Sequence, residues 1–401
     1  MQHRLPQPGA EAQAASARLA DVIAAEIAGR GGWMSFARYM ELALYAPGLG
    51  YYSGGAHKFG DFAAGGDFVT APEITPLFGR ALARQVAQVL AASQPLVIEA
   101  GAGSGRLAAD LLPALDALGC LPERYAILEL SGTLRARQEA TLRADAAAYA
   151  DRVVWLDELP DTIDGCVLGN EVLDAMPTHQ VCWQADGLIE RGVAVVDGRL
   201  VAADAPANQP TNLALQAAAA SIAAPAAAPY RSEISLAVRA WVGEMARRLA
   251  SGALLLIDYG LPRHELYHPA RDGGSVRCHY RHAVHDDPFW FPGLSDITSH
   301  VDFTAVAEAA FEAGLHVAGY TTQAMFLMNC GLGDLLANYS DGDTAAGSGS
   351  ARYRAHGSAQ RLISPNEMGE LFKVIAATRG IEVTPTRPLL GFARGDRTHA
   401  L

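Results

Sequence analysis

The sequence predicts an α/β protein built on a doubly wound parallel sheet, and three neighbouring features predict it. The apolar run Leu96–Ala100 is typical of a buried strand and passes directly into three glycines at alternate positions. Leucines then recur at helical spacing through residues 106–118, although Pro113 is expected to kink this helix. A second strand-like run follows at residues 125–129. Strands that alternate with helices in this way form parallel sheets with helices on both faces.

The turn after the first strand is expected to bind a small molecule through its backbone. Glycine has no Cβ and accepts positive φ, so Gly101, Gly103 and Gly105 allow backbone N–H groups to approach a ligand closely. Dinucleotide-binding folds have the spacing G-x-G-x-x-G, whereas this chain has G-x-G-x-G. This spacing resembles motif I of class I methyltransferases, which bind S-adenosylmethionine (SAM). The alternative is a tight turn that binds nothing.

Two acidic residues at strand ends fit the same cofactor. Glu99 lies two residues before the first glycine, where a carboxylate suits the ammonium group of SAM. Glu129 ends the second strand, where it can accept hydrogen bonds from both ribose hydroxyls, as acids do in dinucleotide-binding folds. The alternative for Glu129 is a solvent-exposed acid with no ligand. Ser131 is expected to cap the next helix.

Composition limits the class of protein. With 401 residues, of which 50% are hydrophobic and 18% charged, the chain can bury a large core in one elaborated domain or in two. A net charge of -12 without a lysine-rich stripe argues against a nucleic-acid partner. Five cysteines without a C-x-x-C pair suggest neither a disulfide framework nor a metal site. No apolar run reaches membrane-spanning length, so we expect a soluble, cytoplasmic protein.

The chain is expected to divide into a cap, a core and an insertion. Residues 1–76 are expected to form an N-terminal cap of helix and loop. Residues 77–176 and 251–401 are expected to form the cofactor-binding core with accessory helices. Residues 177–250 are expected to form an antiparallel β insertion followed by a linker.

Local signals refine these regions. Asp186-Gly187 and Asp197-Gly198 favour type I′ turns, which predicts two hairpins in the insertion. The alanine- and proline-rich tract 202–229 is expected to be a mobile loop or linker. Ser364-Pro-Asn-Glu367 has the pattern of a capping box, which predicts a helix from there to Gly380.

Six segments in constant order resemble one family. They lie within residues 33–376. The first is 66–74 together with 78–79, and the other five are 99–105, 169–177, 256–260, 296–303 and 368–373. Together they resemble the MidA-like family of class I SAM-dependent methyltransferases, whose mitochondrial members are complex I assembly-factor protein arginine methyltransferases. The resemblance implies a Rossmann-like fold and methylation of an arginine side chain in a partner protein, for which a respiratory-complex subunit is a candidate. The family's aromatic pair after Asn-Glu is Val172-Leu173 here.

The resemblance also implies which residues act. A guanidinium is a poor nucleophile because its lone pairs are delocalised, and carboxylates can orient its planar fork of N–H groups. Glu171 is the leading acid for this task, Asp174 the second and Glu73 the third, while Asp258 and Tyr259 are expected to line the acceptor side. For Asp174 the alternative is a helix cap. The expected cofactor-binding residues are Thr70, Pro72, Glu99, Gly101, Ala102, Gly103, Gly105, Glu129 and Asn170.

Three other functions stay open at this stage. The first is a catalytically silent protein of methyltransferase fold that serves as an assembly factor, but such a protein would be expected to lose the acids at Glu171 and Asp174. The second is a small-molecule methyltransferase or an aminopropyl transferase of similar fold. The third, an NAD-dependent oxidoreductase, is disfavoured by the glycine spacing.

Overall fold

The computed structural model describes residues 5–54, 69–207, 211–222, 228–339 and 349–401. Its helices are α1 (Ala10–Gly29), α2 (Phe36–Tyr45), α3 (Ala71–Ile74), α4 (Leu77–Leu90), α5 (Arg106–Ala117), α6 (Gly132–Asp145), α7 (Leu213–Ala220), α8 (Leu236–Arg248), α9 (Arg263–Leu266), α10 (Phe303–Glu312), α11 (Gln323–Asn329), α12 (Leu332–Ala337), α13 (Gly349–Ile363) and α14 (Met368–Leu371).

The strands complete the inventory of elements. They are β1 (Trp33–Ser35), β2 (Leu96–Ala100), β3 (Arg124–Leu128), β4 (Val153–Leu156), β5 (Ile163–Asn170), β6 (His179–Gln184), β7 (Gly187–Val196), β8 (Arg199–Asp204), β9 (Tyr230–Ile234), β10 (Leu249–Leu261), β11 (Arg277–Tyr280), β12 (Ala283–His285), β13 (Asp296–Thr298), β14 (Val301–Asp302), β15 (His316–Thr322) and β16 (Phe372–Arg379). Residues 66–68 of the first family segment lie outside the described residues.

One compact unit comprises residues 69–172 and 242–260 and the described parts of residues 303–401, and it is built on a sheet of strand order β15-β16-β10-β5-β2-β3-β4. Strands β4, β3, β2, β5 and β10 are parallel, whereas β16 is antiparallel to both of its neighbours. Parallel strands covered on both faces are mostly apolar, which explains Leu96–Ile98 in β2 and Cys166–Leu168 in β5. Ala100 pairs with Gly169, so the carboxyl ends of β2 and β5 lie side by side. The predicted doubly wound α/β fold is confirmed.

Helix α5 begins directly after the glycine turn and continues through a proline. Gly105 precedes it with φ of 83°, and Leu107, Leu111 and Leu115 form part of its buried face. Pro113 has no N–H to donate, yet the helix extends to Ala117. The buried leucines on both sides of Pro113 account for this continuity, because tertiary packing supplies most of the stability of a helix in a protein.

The other compact unit comprises the described parts of residues 1–68 together with 173–241 and 261–302. Its larger sheet has the order β1-β7-β6-β9, with β8 also paired to β7, and every pairing is antiparallel. In a smaller sheet, β11 lies between β12 and β13. The predicted antiparallel insertion is therefore present. Residues 261–302, which were expected with the core, belong to this unit instead.

The two predicted hairpins exist, but only one uses its Asp-Gly pair as the turn. Asp197 and Gly198 have φ of 49° and 72°, as a type I′ turn requires, and they connect β7 to β8. In the other hairpin Gln184 pairs with Gly187, so Ala185 and Asp186 form the turn. The turn there begins one residue earlier than the motif predicts, so Asp186 is its second residue and not its first.

The linker expected at residues 202–229 contains regular structure, so that prediction is wrong for the described part. Strand β8 extends to Asp204, and α7 occupies residues 213–220. Asn212 caps α7 by accepting a hydrogen bond from the N–H of Ala214 at 2.8 Å, and Leu215 is fully buried. Alanine is the best helix former, and the cap at Asn212 together with the burial of Leu215 and Ala219 favours a helix here. Residues 208–210 and 223–227 lie outside the described residues.

The helix predicted from Ser364 to Gly380 is also wrong. Ser364 follows the end of α13, only the short α14 is helical, and Phe372 begins strand β16. Every residue from Phe372 to Thr378 is buried, because β16 lies between β10 and β15. A continuous apolar run contains residues at helical spacing and also fits a strand covered on both faces. No helix in the described ranges is both long and apolar enough to cross a membrane.

Candidate functional site

The glycine turn after β2 has a backbone that other residues adopt only with strain. Gly101, Gly103 and Gly105 have φ of 64°, 53° and 83°. A Cβ atom on Gly101 would lie 3.0 Å from Cγ2 of Val172, and one on Gly105 would lie 3.0 Å from Cα of Gln138. Both conformation and space therefore require glycine, which leaves the backbone of the turn accessible to a ligand.

Glu99, on β2, is buried with a neutral partner. Its side chain is 3% exposed, and Oε2 accepts a hydrogen bond of 2.7 Å from the hydroxyl of Tyr125. Burial raises the pKa of Glu99 to about 7, against the opposing effect of the Tyr125 hydrogen bond. A cationic group that approached this carboxylate would favour its charged form.

Glu129 is held at the end of β3 by donors from the start and the middle of α6. Its Oε1 accepts from the backbone N–H of Ser131 at 2.9 Å, and its Oε2 accepts from Nε2 of Gln138 at 3.2 Å. Burial raises the pKa of Glu129. Gln138 Nε2 also donates to the carbonyl of Gly103 at 3.1 Å, so one amide connects this acid to the glycine turn. No motif in the sequence identifies Gln138.

The loop that follows β5 places an acid in an unusual conformation. Glu171 has φ of 53°, and its backbone N–H donates to the carbonyl of Ile257 at 2.9 Å. Its Oε1 accepts from the backbone N–H of Ala71 at 3.3 Å and from Nδ2 of Asn170 at 3.1 Å. Non-glycine residues with positive φ are uncommon, and they cluster at functional sites because their surroundings must hold them.

Asp258, on β10, holds this loop through the backbone. Its carboxylate is 1% exposed, and Oδ2 accepts from the N–H of Val172 at 3.1 Å. Its Oδ1 accepts from the N–H of Tyr259 at 2.9 Å. Glu171 is thus fixed on one side by its own N–H to Ile257 and on the other by Asp258 through Val172. The sequence suggested Asp258 only as a lining residue.

The structure brings most of the predicted site residues into the unit that contains the parallel sheet. Thr70 precedes α3, Pro72 is buried within it, and Glu73 accepts a hydrogen bond from Oγ of Ser104. Asp174 belongs to the other unit, where it is 6% exposed and contributes, with Asp296, to a pKa of Tyr52 raised mainly by burial. Its assignment as second acid stays a prediction.

The residues around the glycine turn fit a cofactor with an ammonium group and ribose hydroxyls. Oδ1 of Asn170 is buried, and no described residue donates a hydrogen bond to it. A buried carbonyl oxygen in this state needs a donor, which an ammonium or a hydroxyl group supplies. Glu99 and Glu129 place two further acceptors at the ends of the neighbouring strands.

Comparisons with known proteins agree with this geometry. A protein from Burkholderia thailandensis, crystallised with S-adenosyl-homocysteine, is 51% identical and matches 99% of this chain and all of its own with a TM-score of 0.92. The mouse mitochondrial protein arginine methyltransferase NDUFAF7 is 29% identical over 86% of this chain and 81% of its own. The Drosophila melanogaster homologue is 28% identical over 97% and 91%.

The comparison corrects one expectation. A cytoplasmic location was expected from the scattered cysteines and the lack of long apolar runs. The relatives from mouse, zebrafish and fruit fly are all named as mitochondrial proteins, which contradicts that expectation. Unpaired cysteines indicate a reducing environment, and they do not distinguish one reducing compartment from another.

A family profile decides the membership of the chain. The profile is described as "putative S-adenosyl-L-methionine-dependent methyltransferase" and matches residues 81–321, which include the glycine turn, Glu171 and Asp258. The resemblance inferred from the sequence segments is confirmed by the profile and by the named relatives. The chain therefore belongs to this family of SAM-dependent methyltransferases, with SAM as its cofactor.

Proposed function

We propose that this protein transfers a methyl group from SAM to a guanidinium nitrogen of an arginine side chain in a partner protein. The C–S bond of the sulfonium breaks as the C–N bond forms, S-adenosyl-homocysteine leaves, and the methylated nitrogen gives up one N–H proton to solvent. The position of Glu171 carries the proposal. The residue after it, Val172, lies against Gly101 of the glycine turn, which brings a constrained carboxylate next to the backbone that holds the cofactor.

Residues of the sheet unit would hold the cofactor. The glycine turn allows its backbone N–H groups to approach the cofactor closely. Glu99 and Asn170 suit the ammonium end of the cofactor, and Glu129 suits its ribose hydroxyls. Gln138 keeps Glu129 and the turn in fixed relation. When bound, SAM supplies an electrophilic methyl group on a sulfonium.

Glu171 is the residue that we assign to the acceptor. A guanidinium stays protonated at neutral pH, so a carboxylate both attracts it and accepts two of its N–H groups in a fixed plane. Such orientation matters because positioning of the reacting groups lowers a barrier by about 7–11 kcal/mol in favourable cases. The hydrogen bonds that Oε1 of Glu171 accepts from Ala71 and Asn170 fix the carboxylate before the acceptor arrives.

The acceptor is proposed to be a protein that presents a basic segment. The named relatives are arginine methyltransferases, and a net charge of -12 on this chain favours encounter with a positively charged partner. A subunit of a respiratory complex is the acceptor class that the family resemblance suggests. The chain offers no lysine-rich stripe for nucleic acid.

The proposal is tested by labelled transfer into protein. Cell extract from a strain without the gene is incubated with the purified protein and SAM that carries a labelled methyl group. We expect label in a protein band, and mass spectrometry should locate it on arginine. Label only in small molecules, or on lysine, would overturn the acceptor assignment, and binding of a partner without any transfer would favour a silent assembly factor.

The variant Glu171→Gln tests whether Glu171 is the acid that binds the acceptor. Glu171→Gln removes the charge and keeps the shape, so transfer should fall by about thirtyfold or more, since truncation of one member of a buried charge pair costs about 2–5 kcal/mol and about 1.4 kcal/mol corresponds to tenfold. Affinity for S-adenosyl-homocysteine, measured by calorimetry, should stay close to that of the parent protein. Glu158→Gln, at an exposed acid after β4, is the matched control. Full transfer by Glu171→Gln would remove Glu171 from the mechanism.

A further inference from the structure

The short helix α3 lies against two parts of the site at once. The backbone N–H of Ala71 donates to Oε1 of Glu171 at 3.3 Å. Two residues later, the carboxylate of Glu73 accepts a hydrogen bond from Oγ of Ser104. Ser104 lies between Gly103 and Gly105, so α3 connects the glycine turn to the acid loop.

The sequence around Glu73 has a simpler structural explanation that the structure does not support. Thr70-Ala-Pro-Glu73 has the T-x-x-E pattern of a capping box, in which the threonine side chain accepts from the backbone at the third helical position. Thr70 lies at the cap position with extended backbone, but its side chain makes no capping hydrogen bond. The Glu73 carboxylate instead accepts its hydrogen bond from Ser104, which lies 31 positions away in the chain.

Ser104 transmits this contact to the turn. Its side chain is 7% exposed, and its Oγ both donates to Glu73 and accepts from the N–H of Arg106 at 3.3 Å. Arg106 is the first residue of α5. One hydroxyl therefore connects α3, the middle of the glycine turn and the start of the helix that follows it.

We infer that Glu73 is a positioning residue that holds the glycine turn through Ser104, and that it does not bind the acceptor guanidinium. The carboxylate is engaged with the cofactor side of the site, in contrast to the role of third acid that the family resemblance implied. The inference rests on the assignment of SAM as cofactor and is independent of which acceptor is methylated.

The test compares variants at the two ends of this hydrogen bond by calorimetry with S-adenosyl-homocysteine. Glu73→Ala and Ser104→Ala should each weaken affinity by about tenfold, which corresponds to about 1.4 kcal/mol, because each variant removes the hydrogen bond that holds the glycine turn to α3. The double variant should be no weaker than either single variant, since both remove the same contact. Glu73→Gln keeps an acceptor for the serine hydroxyl and should stay within about twofold of the parent.

The controls separate this role from loss of charge and from loss of the fold. Glu139→Gln removes an acid from the exposed pair that Glu139 forms with Arg143, and it should leave affinity unchanged. Thermal unfolding reports whether each variant folds, and if Glu73→Ala does not, then Glu73→Gln and Ser104→Ala carry the test.

Two results would overturn the inference. One is unchanged cofactor affinity in Glu73→Ala and Ser104→Ala with loss of transfer in Glu73→Gln, which would place Glu73 on the acceptor. The other is additive loss in the double variant, which would mean that the two residues act separately. Failure of the parent protein to bind S-adenosyl-homocysteine would instead contradict the cofactor assignment.

Discussion

The two sides of the site are held by different means. On the cofactor side the backbone conformation forms the site, because three glycines have positive φ and a Cβ on Gly101 or on Gly105 would crowd Val172 or Gln138. On the proposed acceptor side, side chains form the site, because Asp258 and its neighbours hold a non-glycine residue, Glu171, at a φ of 53°. The comparison teaches that the two functions should fail separately: damage to the turn should abolish binding, and damage to the loop should spare binding and remove transfer.

The largest effect is expected at the centre of the glycine turn. Gly103→Val places a β-branched residue at a φ of 53°, a conformation that costs about 1–3 kcal/mol, and it also blocks the backbone from the ligand. Affinity for S-adenosyl-homocysteine, measured by calorimetry, should fall by more than about a hundredfold.

Gly119→Val is the matched control for this change. Gly119 has φ of 68°, and a Cβ there would meet no atom within 4 Å. The control therefore carries the same kind of strain away from the site and should bind normally once folded. Equal loss of affinity in both variants would show that general strain, and not the turn, decides binding.

A smaller effect is expected at the loop. Asp258→Asn replaces one carboxylate oxygen with an amide donor, so the N–H of Val172 or of Tyr259 loses its acceptor, at a cost of about 1–3 kcal/mol. The rate of methyl transfer at saturating SAM should fall by about tenfold with little change in cofactor affinity. Asp157→Asn, at an acid that is 88% exposed, is the control. Cofactor affinity that falls as far as the transfer rate would remove the distinction between the two sides.

The smallest effect is a dependence of cofactor affinity on pH. Burial raises the pKa of Glu99 from 4.5 to about 7, so the carboxylate gains its charge only as the pH rises through that value. Affinity for S-adenosyl-homocysteine should therefore rise by about threefold between pH 6.5 and 7.5, because the ammonium group meets more of the charged form. Glu99→Gln should abolish this slope, and an unchanged slope would assign it to another group.

The same shift predicts the sign of a stability change. A raised pKa means that the folded protein keeps a proton that the unfolded chain releases. The free energy of unfolding of the ligand-free protein should therefore fall as the pH rises from 4.5 towards 7. Chemical denaturation across this range should show a flatter profile for Glu99→Gln than for the parent protein.

Patterns among neighbouring residues predicted the glycine turn and one of the hairpin turns. The spacing of Gly101, Gly103 and Gly105 concerns neighbours in the chain, and so does the Asp197-Gly198 turn, so both could be read without tertiary information. The roles of Gln138, Ser104 and Asp258 depend on contacts between residues far apart in sequence, which single-sequence patterns do not contain.

The helix prediction for the residues of strand β16 is wrong for a related reason. Its apolar residues fit a helix face as well as a strand, and only its place between β10 and β15 decides between the two. The prediction for the region around α7 is wrong because an alanine-rich sequence of low complexity fits a helix as well as a linker. The cap at Asn212 and the burial of Leu215 and Ala219 favour a helix there.

The order of strands in the parallel sheet has a consequence for how the protein is made. Strand β5 ends at Asn170, but its neighbour β10 begins only at Leu249, and β10 in turn pairs with β16 near the end of the chain. During synthesis the edge of β5 that pairs with β10 stays unpaired until residues 249–261 have emerged from the ribosome. A nascent chain with such delayed partners is expected to fold slowly and to be exposed to aggregation until β10 and β16 have been made.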